Sequence, residues 1–207
     1  MKQIIYTIGY SGFSIQNLTD VLRQHGIRLL VDVRSSPYSI RYTDFNKEIL
    51  QSILHESGIY YRNYAEEFGA RQKDKSLYTK EGYLDFSLHY KTMSFQNGVN
   101  KLIKSMEQGY VFALMCAEKD PINCHRAIMV SRYFSKLGYM VTHIEPNGVE
   151  ETQEDLDFRL LEKFFPDRNQ LSLFAESFKP VDHDALVEKA YKMQNAVIGY
   201  RLEDDET

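Results

Sequence analysis

Residues 115–127 read MCAEKDPINCHRA and hold both cysteines of the chain, with a glutamate, a histidine and an arginine among them. Such a set can be a metal site, a reactive thiol, an anion pocket, or only a strand end turning into a helix. Asp120 suits a helix cap, with Pro121 at the first helical position. That places Cys124, His125 and Arg126 in or near the first turn, where free N–H groups and the helix dipole favour an anion. Arg126 would strengthen the hold. Cys124 in that setting is expected to be thiolate-like and a candidate nucleophile. The alternative is a small buried residue packing helix on sheet. The spacing C-x7-C-H fits no standard zinc pattern, and no second ligand pair occurs elsewhere, so no metal and no cofactor is assigned. Cys116, ending an apolar run, reads as core.

Asp32 and Arg34 are two apart in LLVDVRSSP, so they share a strand face while Val31 and Val33 take the other. A charged pair at the end of a buried strand needs a reason, since burial costs desolvation. Either the pair fixes loops, or Arg34 binds a phosphate while Asp32 orients a hydroxyl or acts as a base. Glu118 is a further candidate acid or base, with an exposed surface residue as the alternative. Gly9, Tyr10 and Ser11 form a Gly-Ser loop whose N–H groups can cradle a phosphate, or can be an ordinary turn. Arg34, Arg41 and Arg62 lie among Tyr10, Tyr38, Tyr42, Tyr60, Tyr61 and Tyr64. Arginines interleaved with aromatics suit stacking on bases and contact with phosphates.

These residues need elements to position them. QIIYTIG, IRLLVDV, IYYRNY, YVFALMC and YMVTHI read as strands, and helical patterns separate them. Ser14 caps the first helix, which closes at Gly26. Apolar strands alternating with helices predict an α/β fold: an open, mainly parallel sheet with helices on both faces, a Rossmann-like three-layer sandwich. Such sheets bind ligands at the carboxyl ends of their strands. The loops at 9–12, 32–41 and 116–126 should therefore converge.

YTIGYS, LLVDVRSSP, FN before a helix, and ALMCAEKDPINCHR together resemble the domain-of-unknown-function 488 family, in order and spacing, over roughly residues 3–145. The Cys-to-Cys-His-Arg segment is the most specific part. The resemblance implies a fold and a set of positions, and no reaction. Many members carry histidine where this chain has Tyr10, which weakens any mechanism needing a base at that position.

The expected organisation is an α/β domain over 1–150 and a C-terminal helical extension over 151–207. Within the extension, residues 167–180 read as an accessible linker. It contains Gln170, Leu171, Ser172, Leu173 and Phe174, which resemble the pentapeptide used to bind the bacterial sliding clamp. Apolar content of 43% fits a globular chain rather than a disordered one. A net charge of −4 argues against a broadly basic nucleic-acid coat but leaves local patches open. No signal-peptide pattern or membrane-length apolar run occurs, so a cytoplasmic protein without membrane contact is expected. The favoured function is an enzyme of hydrolase or transferase type on a phosphate-bearing small molecule or nucleic acid. Asp32, Glu118 and Cys124 would be catalytic. Gly9, Tyr10, Ser11, Arg34, Arg41, Cys116, His125 and Arg126 would bind substrate. The alternatives are a non-catalytic nucleic-acid or phospho-ligand module and, with no CxxC to support it, a thiol or metal redox protein.

Overall fold

The computed structural model describes residues 4–146, 148–168 and 182–202. The Gln170–Phe174 pentapeptide lies outside the described residues. The described strands are β1 (Ile4–Gly9), β2 (Leu29–Asp32), β3 (Tyr60–Asn63), β4 (Phe112–Cys116), β5 (Met140–Ile144) and β6 (Glu150–Thr152). The helices are α1 (Ile15–Gln24), α2 (Lys47–Glu56), α3 (Ala65–Phe68), α4 (Phe86–His89), α5 (Met93–Glu107), α6 (Arg132–Lys136), α7 (Gln153–Phe164) and α8 (His183–Ile198).

The strands form one sheet in the order β3-β2-β4-β1-β5-β6. The first five are mutually parallel and β6 runs antiparallel to β5. Every residue of β2 and β4 is buried, as strands covered on both faces require. Side-chain alternation divides the core in two. Leu30, Ala113, Met115 and Ile8 pack with Leu18, Leu22, Leu50 and Leu54 of α1 and α2. Leu29, Val31, Phe112 and Leu114 pack on the other face with α5, α7 and α8 residues such as Leu102, Leu156 and Val187. The fold is therefore the open α/β sandwich expected. Among the described residues no helix is long and apolar enough to cross a membrane.

Local signals explain the helix starts. The Ser14 side chain accepts from the Asn17 N–H and caps α1, and Gly26 closes the following turn at φ 65°. Thr152 and Asp155 form a reciprocal capping box on α7. The stretch after β4 departs from the single helix expected from Pro121. A 3₁₀ turn spans Pro121–Asn123, capped by Asp120, and Cys124 is then extended at φ −129°, ψ 133°. The helix proper begins at His125, and Arg126–Ser131 is π-helical before α6. Ser131 Oγ donates to the Arg126 carbonyl at 2.8 Å, five residues back, which fits the wider turn. Strand β6 escaped the sequence reading because three residues, EET, carry no apolar alternation.

Candidate functional site

After β2 the chain crosses to β3 by α2, on one face of the sheet. After β4 it crosses toward β5 on the other face. Strands β2 and β4 are neighbours, so their carboxyl ends part and leave a crevice, the switch point at which open α/β sheets bind ligands. A cavity of about 560 Å³ opens there, lined by Tyr10, Arg34, Cys116, Glu118, His125 and, from its far side, Tyr200.

Arg34 is the buried cation of this cavity. Asp32 Oδ1 accepts from the Arg34 backbone N–H at 3.0 Å and from Nε at 2.8 Å, and Oδ2 accepts from Nη2 at 2.5 Å. Tyr61 donates its hydroxyl to Oδ2 at 2.6 Å, and Nη2 also reaches the Phe45 carbonyl at 2.9 Å. Burial works against the Arg34 charge, but the hydrogen bonds and charge of Asp32 outweigh it and hold the proton above the ordinary arginine range. Burial, then the Asp32 charge, pushes the Tyr61 hydroxyl up. The Arg34 guanidinium lies 5.1 Å from the Tyr10 ring centre, and Tyr10 stacks on Phe45 at 4.5 Å. Burial is also the main cause raising the Tyr10 hydroxyl, against the lowering pull of Arg34. Arg34 Nη1 is buried and has no partner at hydrogen-bond geometry among the described residues, with the Tyr10 hydroxyl near enough to interact with the guanidinium. Asp32 is fully buried, does not line the cavity, and positions Arg34.

The second wall is a cluster of Cys116, Glu118, Cys124 and His125. Both sulfurs lie 3.1 Å from Glu118 Oε2, and Cys116 Sγ lies 3.8 Å from His125 Nδ1. His125 Nε2 is 2.9 Å from the Val33 carbonyl, so it is the protonated nitrogen there and Nδ1 faces the sulfurs. The hydrogen bond with Cys124, burial, and the charges of Cys124 and Glu118 push the Cys116 thiol well up. Burial pushes Cys124 up as well, yet the hydrogen bond with Cys116 and the charges of Arg126 and His125 bring it well below the usual thiol range. Of the two thiols, Cys124 is therefore the one whose ionised form its surroundings favour. Burial would lower His125, but Cys124 and Glu118 outweigh it and raise it. Burial, then the Cys124 charge, raises Glu118. Cys124 itself is buried and does not line the cavity, whereas Cys116, Glu118 and His125 do.

The other expected residues divide. Arg126 is fully buried and spends its guanidinium inward. Nη1 donates to the Glu118 carbonyl at 2.5 Å, Nη2 to the Lys119 carbonyl at 3.1 Å, and Nε to Thr7 Oγ at 3.3 Å. It clamps the loop after β4 instead of facing an anion. Gly9 serves the same approach, since a Cβ there would sit 1.8 Å from the Glu118 carbonyl oxygen. Ser11 donates its backbone N–H to the Ala117 carbonyl at 3.0 Å, and it does not line the cavity. Arg41 is exposed and rests over Tyr42 at 5.3 Å, away from the cavity.

Sequence reasoning missed the far wall. Tyr200 and Arg201 reach it because the segment after α8 is stitched to residues 82–86. The Leu84 N–H donates to the Tyr200 carbonyl and the Leu202 N–H to the Gly82 carbonyl. Arg71 lies over the Tyr200 ring at 4.6 Å, and its backbone N–H donates to Ser35 Oγ at 2.9 Å. No local pattern in the sequence announces these pairings.

A family model described as "Domain of unknown function DUF488" matches residues 14–133, more than half of the chain. No curated protein matches, and neither does any solved structure.

Proposed function

The chain belongs to the DUF488 family, whose description carries no activity, and from the geometry of its cavity we propose that it is an enzyme acting on a phosphate-bearing nucleotide or a nucleic-acid end. The observation that carries this reading is Arg34. Its guanidinium is locked by Asp32, one buried nitrogen is left without a hydrogen-bond partner, and the residue lines the switch-point cavity. A buried, fixed arginine with an unused donor suits a phosphate oxygen. The size of the cavity, about 560 Å³, suits a mononucleotide. Tyr10, Tyr38 and Tyr200 supply aromatic surface along its walls for a base. Glu118, on the exposed loop after β4, supplies a proton acceptor at the cavity, which supports hydrolysis or group transfer over passive binding.

The test is calorimetric titration with a panel of nucleoside 5′-monophosphates and short single-stranded oligonucleotides, with product analysis of each mixture. Arg34→Gln is expected to weaken binding of the best probe at least ~30-fold, the scale of a lost charge-assisted bond. Equal affinity in the variant and the parent would overturn the reading.

The same reading makes Gln170–Phe174 a recruiting segment for the bacterial sliding clamp, in the cytoplasm where DNA is maintained. Its support is the sequence QLSLF: two leucines and a phenylalanine for an apolar pocket, and a glutamine for register. Micromolar binding of the full chain to a purified clamp, lost in Gln170→Ala/Phe174→Ala, is the expected outcome. Undiminished binding by that variant, or none by the parent, would remove the clamp from the account.

A further inference from the structure

Beside the cavity lies a group of donor atoms whose arrangement goes beyond acid–base chemistry. Cys116 Sγ, Cys124 Sγ and His125 Nδ1 all lie within 4.8 Å of one another. Glu118 Oε2 lies 3.1 Å from each sulfur. In a tetrahedral zinc site, bond lengths near 2.0–2.3 Å separate neighbouring donors by roughly 3.5–3.8 Å. Cys116 Sγ and His125 Nδ1 are 3.8 Å apart already. We propose that Cys116, Cys124 and His125 bind a divalent ion of the zinc class, with the Glu118 carboxylate at the fourth corner, facing the cavity.

The supporting shell is that of a metal centre. His125 Nε2 donates to the Val33 carbonyl, and such a bond on the far nitrogen fixes the tautomer that leaves Nδ1 free to ligate. Val33 follows β2, so the imidazole is braced by the neighbouring strand. Cys116 ends β4, and the extended backbone at Cys124 separates the 3₁₀ turn from the helix that begins at His125. Neither cysteine is in a disulfide, although the two sulfurs are neighbours. Two sulfurs and an imidazole select soft to borderline ions over magnesium or calcium. Two sulfurs and a carboxylate crowd together here, while Arg126 spends its guanidinium hydrogen bonds on carbonyls and Thr7. A dication at the centre turns that crowding into ligation, and whatever protons remain on the ligating sulfurs and on His125 Nδ1 leave to solvent as it binds. Glu118 comes from the exposed loop after β4, so it is the ligand that a water or a cavity-bound molecule can displace. The centre is then closed on three sides and open on one, as catalytic zinc sites are.

This inference does not require the nucleotide reading, and its readout is separate. The full chain is stripped with chelator under reducing conditions and titrated with Co²⁺, then with Zn²⁺. The expected result is about one equivalent of Co²⁺ with a sulfur-to-cobalt charge-transfer band and tetrahedral ligand-field bands, both abolished by Zn²⁺. Cys124→Ser should weaken binding at least ~10-fold. On the unaltered chain, Zn²⁺ should protect both cysteines from alkylation. Absence of the charge-transfer band at equimolar Co²⁺, or equal alkylation rates with and without Zn²⁺, would overturn the site whatever the fate of the serine variant. Loss of nucleotide binding in Arg34→Gln would leave these signals in place, so the two readings fail separately.

Discussion

Arg34 is held by Asp32 but not used up by it. The bidentate contact fixes the guanidinium plane, and Tyr61 shares the same carboxylate. Replacing Asp32 by Asn keeps the volume and removes the charge that compensates a buried guanidinium. Breaking one side of a buried pair costs about 3–5 kcal/mol. Asp32→Asn should therefore lower the unfolding free energy by that amount in urea titrations, and a loss below ~1 kcal/mol would mean the pair contributes only as a surface contact does. The same-face placement of Asp32 and Arg34 was legible, because two residues apart on a strand means one face. The clamp role of Arg126 was not, since its partners are backbone carbonyls at 118 and 119 and a carbonyl has no residue type to read. Cys124 was legible as a special cysteine beside a helix start. Its distance from the cavity was not, because an extended residue between two helical turns leaves no sequence mark.

At the scale of elements, β1 and the loop after β4 meet at Gly9. The close approach of the Glu118 carbonyl leaves no room for a methyl group, and the neighbouring atom is backbone. Gly9→Ala should therefore displace the loop that carries Glu118 and cost several kcal/mol, on the order of other overpacked core positions. Thermal unfolding checks the stability, and the reactivity of Cys116 toward a thiol reagent checks the loop. Unchanged values for both would contradict the geometry. The sequence leaves Gly9 open between a phosphate cradle and an ordinary turn, since a Gly-Ser loop after a strand fits both, and the tight approach is visible only in the fold. The strands were legible because β-branched and apolar runs bounded by turn residues are a local signal. The π-helical Arg126–Ser131 segment was not, since a wider turn depends on one side-chain hydrogen bond, from Ser131.

The whole molecule keeps two histidines neutral inside it. Burial is the main cause in both, lowering His89 to about 4 and His143 to about 3, with the Arg126 charge adding to the second. Each has a partner as well, His89 Nε2 at 3.0 Å from the Glu67 carbonyl and His143 Nδ1 at 2.7 Å from Thr7 Oγ. Below the ordinary histidine value of 6.5 the unfolded chain takes up protons that the native state refuses. These two rings should thus lower stability as pH drops from about 6.5 toward their folded values, by roughly 2–4 kcal/mol between pH 7.5 and 5, with the raised His125 opposing them. Urea midpoints at the two pH values check this, and a flat profile would contradict neutral burial of both rings. The fold class was legible at this scale because alternating strands and helices constrain topology. The cavity's far wall was not, since Tyr200 and Arg201 arrive through pairings more than a hundred residues apart in sequence.

The central claim is that Arg34 Nη1 is the anion contact of the cavity. The most direct measurement is a crystal structure of the full chain with the tightest-binding nucleoside monophosphate from the titration panel. The account predicts a phosphate oxygen about 3 Å from Arg34 Nη1, with the base against Tyr10 or Tyr200 and the sugar end toward Glu118 and His125. A nucleotide bound elsewhere, with Nη1 still unpaired, would contradict it.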